Sequence, residues 1–216
     1  MKPKFFKNRY ILARAKIAFA ILLKGRVSFR KILNAAHCWF AQKFHFVKAA
    51  PFPFMINFEL WNECNAQCTF CRTDDGVIYD QNPENKGQVP IPKGKMSLEL
   101  YKEIIEQSKD HILIAVLYVN GEPLMYKGLY EAIQFASDRG VATLISTNGE
   151  LLTENNIKKL LESGLDFVKI AISGFSQDIY TVQHRGCHIK KVKDNLESLA
   201  RLRDVGQHKI LIMLDY

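Results

Sequence analysis

The stretch MINFELWNECNAQCTFC, residues 55–71, decides the fold. Its first half, Met55 to Trp61, reads as a short strand, and Cys64, Cys68 and Cys71 follow it directly with the spacing C-x3-C-x2-C. Cysteines at the end of a strand sit where barrel enzymes gather their active-site loops. Thiolates are the usual protein ligands of a 4Fe–4S cube, and three cysteines on four irons leave one iron open to coordinate something else. Two other readings stand beside this one. Positions 64, 68 and 71 also fall on one helical face, although Asn62, Glu63, Asn65, Gln67 and Thr69 make a poor helix. A zinc site is the other, with Cys187 or His188 as fourth ligand, although structural zinc sites usually come as two paired knuckles.

Outward from this stretch the pattern is an alternation of β-rich runs and helical segments, the signature of a parallel α/β sheet. Strands are expected at Met55 to Trp61, Ile112 to Val119, Val141 to Ser146, Asp166 to Ser173 and Lys209 to Asp215. Helices are expected near Ser97 to Ser108, Lys127 to Arg139, Thr153 to Ser163 and Ile189 to Val205. Gly140 and Gly164 each stand just past a helix and just before the next strand, as helix stop signals do. Asp74 to Lys95 is polar, rich in proline and glycine and without periodicity. It reads either as an active-site lid or as a disordered insertion.

Charge divides the chain. Of its 30 Lys and Arg, twelve lie in residues 1–50, which contain no Asp or Glu, leaving 18 basic against 22 acidic residues beyond. Between Tyr10 and about Phe46 apolar residues recur at roughly helical spacing, which predicts two amphipathic helices broken near Gly25. Such an arm either packs on the main domain or lies on an anionic membrane surface, and no recognisable motif points to nucleic acid. The apolar run Ile17 to Leu23 is far short of the roughly 20 residues that span a bilayer. Neither a secretory signal nor a mitochondrial transit peptide fits the arm. Five cysteines, three of them within eight residues, form a metal layout rather than a disulfide framework. A reducing compartment follows, hence the cytoplasm, with the inner face of the membrane as a peripheral location for the arm.

At the cysteine loop, with aromatic Phe70 just before the third cysteine, the sequence resembles the radical S-adenosylmethionine (SAM) superfamily. The resemblance runs from about Met55 to the end of the chain, and its later motifs are similar to the subfamily with SPASM or twitch domains. Asn120-Gly121-Glu122-Pro123 resembles a Gly-Gly-Glu motif, in which Gly121 would let the backbone approach a ligand closely and Glu122 would accept from the SAM ammonium. Ser146-Thr147-Asn148-Gly149 is similar to a Thr-Asn-Gly turn of the subfamily. Ser173-Gly174-Phe175, Tyr180, Arg185-Gly186 and Asn195 resemble its Ser-x-Asp-Gly, Tyr, Arg-Gly, Asn succession, with Gly174 and Phe175 in place of the acidic residue and its glycine. Ser173 and Arg185 would hold the SAM carboxylate.

The resemblance implies a partial (β/α) barrel, here ending after about five strands where the family usually has six, preceded by the helical extension of residues 1–50. It implies a 4Fe–4S cluster on Cys64, Cys68 and Cys71, with SAM held near Phe70, Gly121, Glu122, Ser146, Asn148, Ser173 and Arg185. It further implies a 5′-deoxyadenosyl radical that takes hydrogen from an unidentified substrate, and an electron donor such as flavodoxin or ferredoxin. The alternative from another class is a non-catalytic metal-binding α/β scaffold with a partner-binding or membrane-binding arm.

Overall fold

The computed structural model describes residues 16–46, 52–69, 71, 73–74, 77–80 and 89–215. Residues 16–23 are helical (α1), and α2 (Phe29–Lys43) follows beyond a break at Gly25. The main sheet is parallel, with β1 (Met55–Asn57), β5 (Ile114–Val116), β6 (Ala142–Thr147), β7 (Phe167–Ala171) and β8 (Leu211–Asp215) in that spatial order. Each strand pairs with the next of the series, in the register Met55 with Ile114, Ile114 with Ala142, Leu144 with Phe167 and Phe167 with Leu211. Neighbouring strands in sequential order with a helix in each crossover are the geometry of a winding barrel, here an open arc of five strands.

The crossovers are α3 (Leu98–Ser108), α4 (Leu129–Asp138), α5 (Glu154–Glu162) and α7 (Ile189–Val205). Their starts are written locally: Ser97 caps α3 by accepting from Leu100 N at 3.2 Å, and Thr153 caps α5 by accepting from Asn156 N at 3.4 Å. Along α4, Leu129, Ala132, Ile133 and Ala136 repeat at three and four residues and are all buried, so one stripe faces the sheet.

Alternation along the strands produces two cores. Val168 and Ile170 of β7 point to the helices, where they join Ile105, Ile133, Ile157, Leu160 and Leu199. Phe167 points to the concave side with Ile114, Val116 and Ala142, and there Ile17, Ala20 and Ile21 of α1 cover them. Full burial of one such side chain contributes about 1.5–3 kcal/mol. The arm is fixed further by Lys24 and Arg26, whose side chains reach Asp166 at 2.8 and 2.9 Å beside the start of β7. Thus packing, the first of the two roles expected for the arm, is realised on the concave side of the sheet.

Two elements were not expected. A short helix, α6 (Gln177–Gln183), precedes α7, and the polar stretch from 74 to 95 contributes an antiparallel sheet rather than unstructured chain. That sheet is β2 (Thr73–Asp74), β3 (Val77–Asp80) and β4 (Val89–Ile91), with Thr73 opposite Ile78 and Ile78 opposite Ile91. The first strand is also shorter than expected, ending at Asn57, after which Trp61 forms only an isolated antiparallel bridge with Lys95.

Candidate functional site

The cysteine loop lies at the carboxyl edge of the sheet and is gripped from two sides. On one side, Gln67 N donates to Arg185 O at 3.0 Å and Thr69 N to Gln183 O at 2.9 Å, tying the loop to the end of α6 and the turn after it. On the other, Asn148, at the end of β6, reaches Asn65 Oδ1 at 2.9 Å and Cys64 Sγ at 3.8 Å through one amide nitrogen. Cys71 N closes the loop on Cys68 O at 3.1 Å. All three cysteines are partly buried.

The turn that carries Asn148 is itself braced. Glu122 is 2% exposed, and its carboxylate accepts from Asn148 N at 3.0 Å and from Leu124 N at 3.1 Å. Burial pushes this carboxyl up to about 7, against the pull of its hydrogen bonds to Asn148, Leu124 and Thr147. Asn195 of α7 donates to Gly149 O at 2.8 Å. Gly149 has φ +82°, and a Cβ there would meet Val192 Cγ1 at 2.9 Å, so this turn requires glycine.

The expected residues separate into three groups. Cys64, Cys68, Cys71 and Asn148 come together as expected. Gly121 and Glu122 are adjacent, and both make contacts within the protein. The close approach at Gly121 is made by protein backbone, since a Cβ there would lie 2.2 Å from Trp61 O and 2.8 Å from Glu63 O. Glu122 is buried and braces the 148 turn through the bond it accepts from Asn148 N. Ser146 lies half-buried in β6. Ser173 Oγ, beyond the end of β7, is buried with no hydrogen-bond partner among the described residues. Arg185 is exposed, and its guanidinium has no hydrogen-bond or ion-pair partner among the described residues. Phe70 lies outside the described residues.

Sequence reasoning missed Asn65, which receives Asn148, and Glu150, which is 5% exposed and holds Lys191 Nζ at 3.0 Å. Neither carries a signal beyond lying next to a motif residue. His184 also approaches the cysteines: its Nδ1 is 3.4 Å from Cys68 Sγ, and its ring stacks on Tyr180 at 4.5 Å. Burial lowers its pKa, so the ring is neutral at pH 7. His188, offered above as a zinc ligand, instead faces Glu150.

The donor set suits an iron–sulfur cluster. Burial, with the nearby Glu122 and cysteine charges adding to it, pushes Cys64 up to about 11, and burial pushes Cys68 up to about 12. Both thiols therefore keep their protons until a metal displaces them. N–H donors already point at Cys64 Sγ, from Ala66 N at 3.4 Å and from Asn148, and such bonds stabilise a ligating thiolate. Among the described residues no three His, Cys, Asp or Glu gather at the spacing of a single ion. Ligands on separate irons of a cube stand wider apart than that.

Residues 58–215 match the family model of the Radical SAM superfamily. The chain is 29% identical over 130 residues to an S-adenosylmethionine-dependent nucleotide dehydratase of Flammeovirga pacifica, covering 60% of this chain and 42% of that protein. It is 27% identical over 126 residues to an AdoMet-dependent heme synthase of Oleidesulfovibrio alaskensis, covering 58% and 29%. Among solved structures, Streptococcus suis SuiB bound to precursor peptide SuiA superposes with a TM-score of 0.58 at 16% identity, over 82% of this chain and 35% of that one. The chain spans less than half the length of each.

Proposed function

The chain belongs to the radical SAM superfamily, whose enzymes use a 4Fe–4S cluster and S-adenosylmethionine, and we propose that residues 51–216 form such a catalytic core. One observation carries the reading: three thiols on a single loop at the carboxyl edge of the parallel sheet, held by the 148 turn on one side and the 183–185 turn on the other. Cys64, Cys68 and Cys71 would hold the cluster. When bound and reduced, it supplies the electron that splits the sulfonium of SAM, releasing the 5′-deoxyadenosyl radical that takes hydrogen from substrate.

The residues of this chain bind and orient. Asn148 fixes the loop at Asn65 and donates to Cys64 Sγ, which steadies a negative sulfur. Glu122 and Asn195 hold Asn148 in place from beneath and from α7. Ser173 and Arg185, whose side chains have no hydrogen-bond partner among the described residues, are suited to the SAM carboxylate, Arg185 as a bidentate donor. Gly121, Glu122, Ser146 and Phe70 complete the proposed contact set. The electron would come from a donor such as flavodoxin or ferredoxin, and the thiol-rich site fits a reducing cytoplasm.

The test is anaerobic reconstitution of the full chain with iron and sulfide. Iron and labile sulfide near about four per chain, with a brown absorption bleached by dithionite and lost when all three cysteines become alanine, support the assignment. A full cluster in the triple variant, or stoichiometric zinc in the protein as purified, would overturn it.

A further inference from the structure

Helix α2 is built inside out. Its inward face is polar or small: Lys31, Asn34 and Ala41 are its buried residues. Its outward face carries Phe29, Ile32, Leu33 and Phe40, spaced three, four and eleven residues from the first, which makes one helical stripe, and the C-cap residue Phe44 continues it. Phe29 is 74% exposed and Trp39, beside the stripe, 52%. An ordinary surface helix has the opposite arrangement.

The orientation is fixed rather than accidental. Lys31 Nζ donates to Arg26 O and Gly140 O, and Asn34 Nδ2 donates to Pro53 O at 3.3 Å and His111 O at 3.1 Å. Turning the apolar stripe inward would break all four bonds and leave buried carbonyls without donors. The stripe must therefore stay outside, where several exposed aromatic side chains form a patch that a monomer rarely leaves bare.

Charge identifies what covers it. Residues 1–50 hold twelve Lys or Arg and no acid; Lys24, Arg26 and Lys31 are engaged by the domain, and Arg30 and Lys43 flank the stripe. On the helix itself Lys43 Nζ sits 4.7 Å from the Trp39 ring centre, and Arg30 lies 3.9 Å from the exposed Asp110. Cations flanking Trp and Phe on an apolar helical face match the boundary of an anionic bilayer, where rings enter the headgroup level and basic side chains reach lipid phosphates. A second copy would bring two acid-free arms together and is disfavoured by repulsion. Nucleic acid offers nothing to Ile32 and Leu33. No helix among the described residues is long and apolar enough to cross a membrane, so the contact is with the surface.

We propose that the outward face of α2 docks on anionic phospholipid. Its inward face contacts the turns at His111 and Gly140 that lead into β5 and β6, the amino edge of the sheet. The cysteine loop is at the opposite edge, so docking leaves the candidate site open. The surface role thus coexists with the packing role of α1, and it holds whether or not the cluster assignment stands.

The test is co-sedimentation of the full chain with vesicles of phosphatidylcholine alone or of phosphatidylcholine with phosphatidylglycerol. Binding is expected only to the anionic vesicles and should weaken with salt. Phe40→Ser combined with Phe44→Ser removes two exposed rings and is expected to weaken binding at least about tenfold with an unchanged circular dichroism spectrum and melting temperature. Arg30→Gln with Lys43→Gln should weaken it while leaving the rings in place. Equal binding to neutral vesicles, no binding to either, or unchanged binding by both variants would overturn the proposal. So would a lipid-free dimer dissociated by the serine variant, or retention on nucleic acid in place of vesicles.

Discussion

Gly121→Ala places one methyl group where the structure has no room for it. The new Cβ would lie 2.2 Å from Trp61 O, 2.8 Å from Glu63 O and 2.9 Å from Asn62 Cα, whereas ordinary contact begins at 3.4 Å. Every neighbour is backbone, so no rotamer change relieves the overlap. Trp61 O must retreat by roughly 1 Å, and it lies three residues before Cys64. The same segment carries the hydrogen bond from Glu122 N to Glu63 O at 2.8 Å, which joins the loop to the second strand end. Overpacking of this kind costs about 1–3 kcal/mol. The expected result is a lower urea midpoint in a protein that still folds, together with loss of iron and sulfide binding on anaerobic reconstitution. Gly94→Ala is the control, since its nearest neighbour would be Pro92 O at 3.9 Å, and it should change neither quantity. A Gly121→Ala protein with the wild-type midpoint and a full complement of iron would refute the claim that this close approach sets the cysteine loop.

Three further outcomes are expected. Arg185→Ala and Ser173→Ala should each weaken SAM binding to the reconstituted protein, Arg185 by roughly one to two powers of ten for a lost charged hydrogen bond, measured by equilibrium titration; unchanged affinity in both removes them from the site. Arg26→Ala leaves Asp166, 1% exposed, with Lys24 as its only remaining ion-pair partner among the described residues and breaks the bonds to Ser137. It should lower stability by about 3 kcal/mol, the low end for a broken buried pair, read from the urea midpoint. Glu122 has its folded pKa raised to about 7 from 4.5, so its favourable contribution is complete below 4.5 and is lost as pH rises through 7. Cluster-free protein should lose up to roughly 3 kcal/mol of stability across that window, and Glu122→Gln should flatten the profile; parallel profiles in the two proteins would contradict the burial of this carboxyl.

The five parallel strands and four crossover helices were legible in the alternation of β-rich runs with helical periods, marked by Gly140 and Gly164 after two of the helices, and α7 (Ile189–Val205) has the expected bounds. The short helix α6 was not, since seven residues give too few turns for a stripe. The antiparallel sheet at 73–91 was hidden because its pairing is set by long-range register in a polar stretch full of proline and glycine. In the site, Cys64, Cys68, Cys71 and Asn148 could be read from spacing and strand ends. The seating of Gly121 against the 61–63 backbone and the bond of Glu122 to the 148 turn could not, because both are long-range contacts with no local sequence signal. The arm shows the same limit: its basic, amphipathic pattern was plain, but not that α1 would seat Ile17, Ala20 and Ile21 against the sheet while α2 turns its apolar stripe outward.

The central claim is that three cysteines hold a cluster with one iron open to SAM. The most direct measurement is the electron paramagnetic resonance spectrum of the anaerobically reconstituted, dithionite-reduced chain, recorded without and with SAM. A reduced-cluster signal that changes on adding SAM, and that is absent when Cys64, Cys68 and Cys71 are replaced by alanine, is the predicted result. A cluster signal unmoved by saturating SAM, or one that persists in the triple variant, would contradict it.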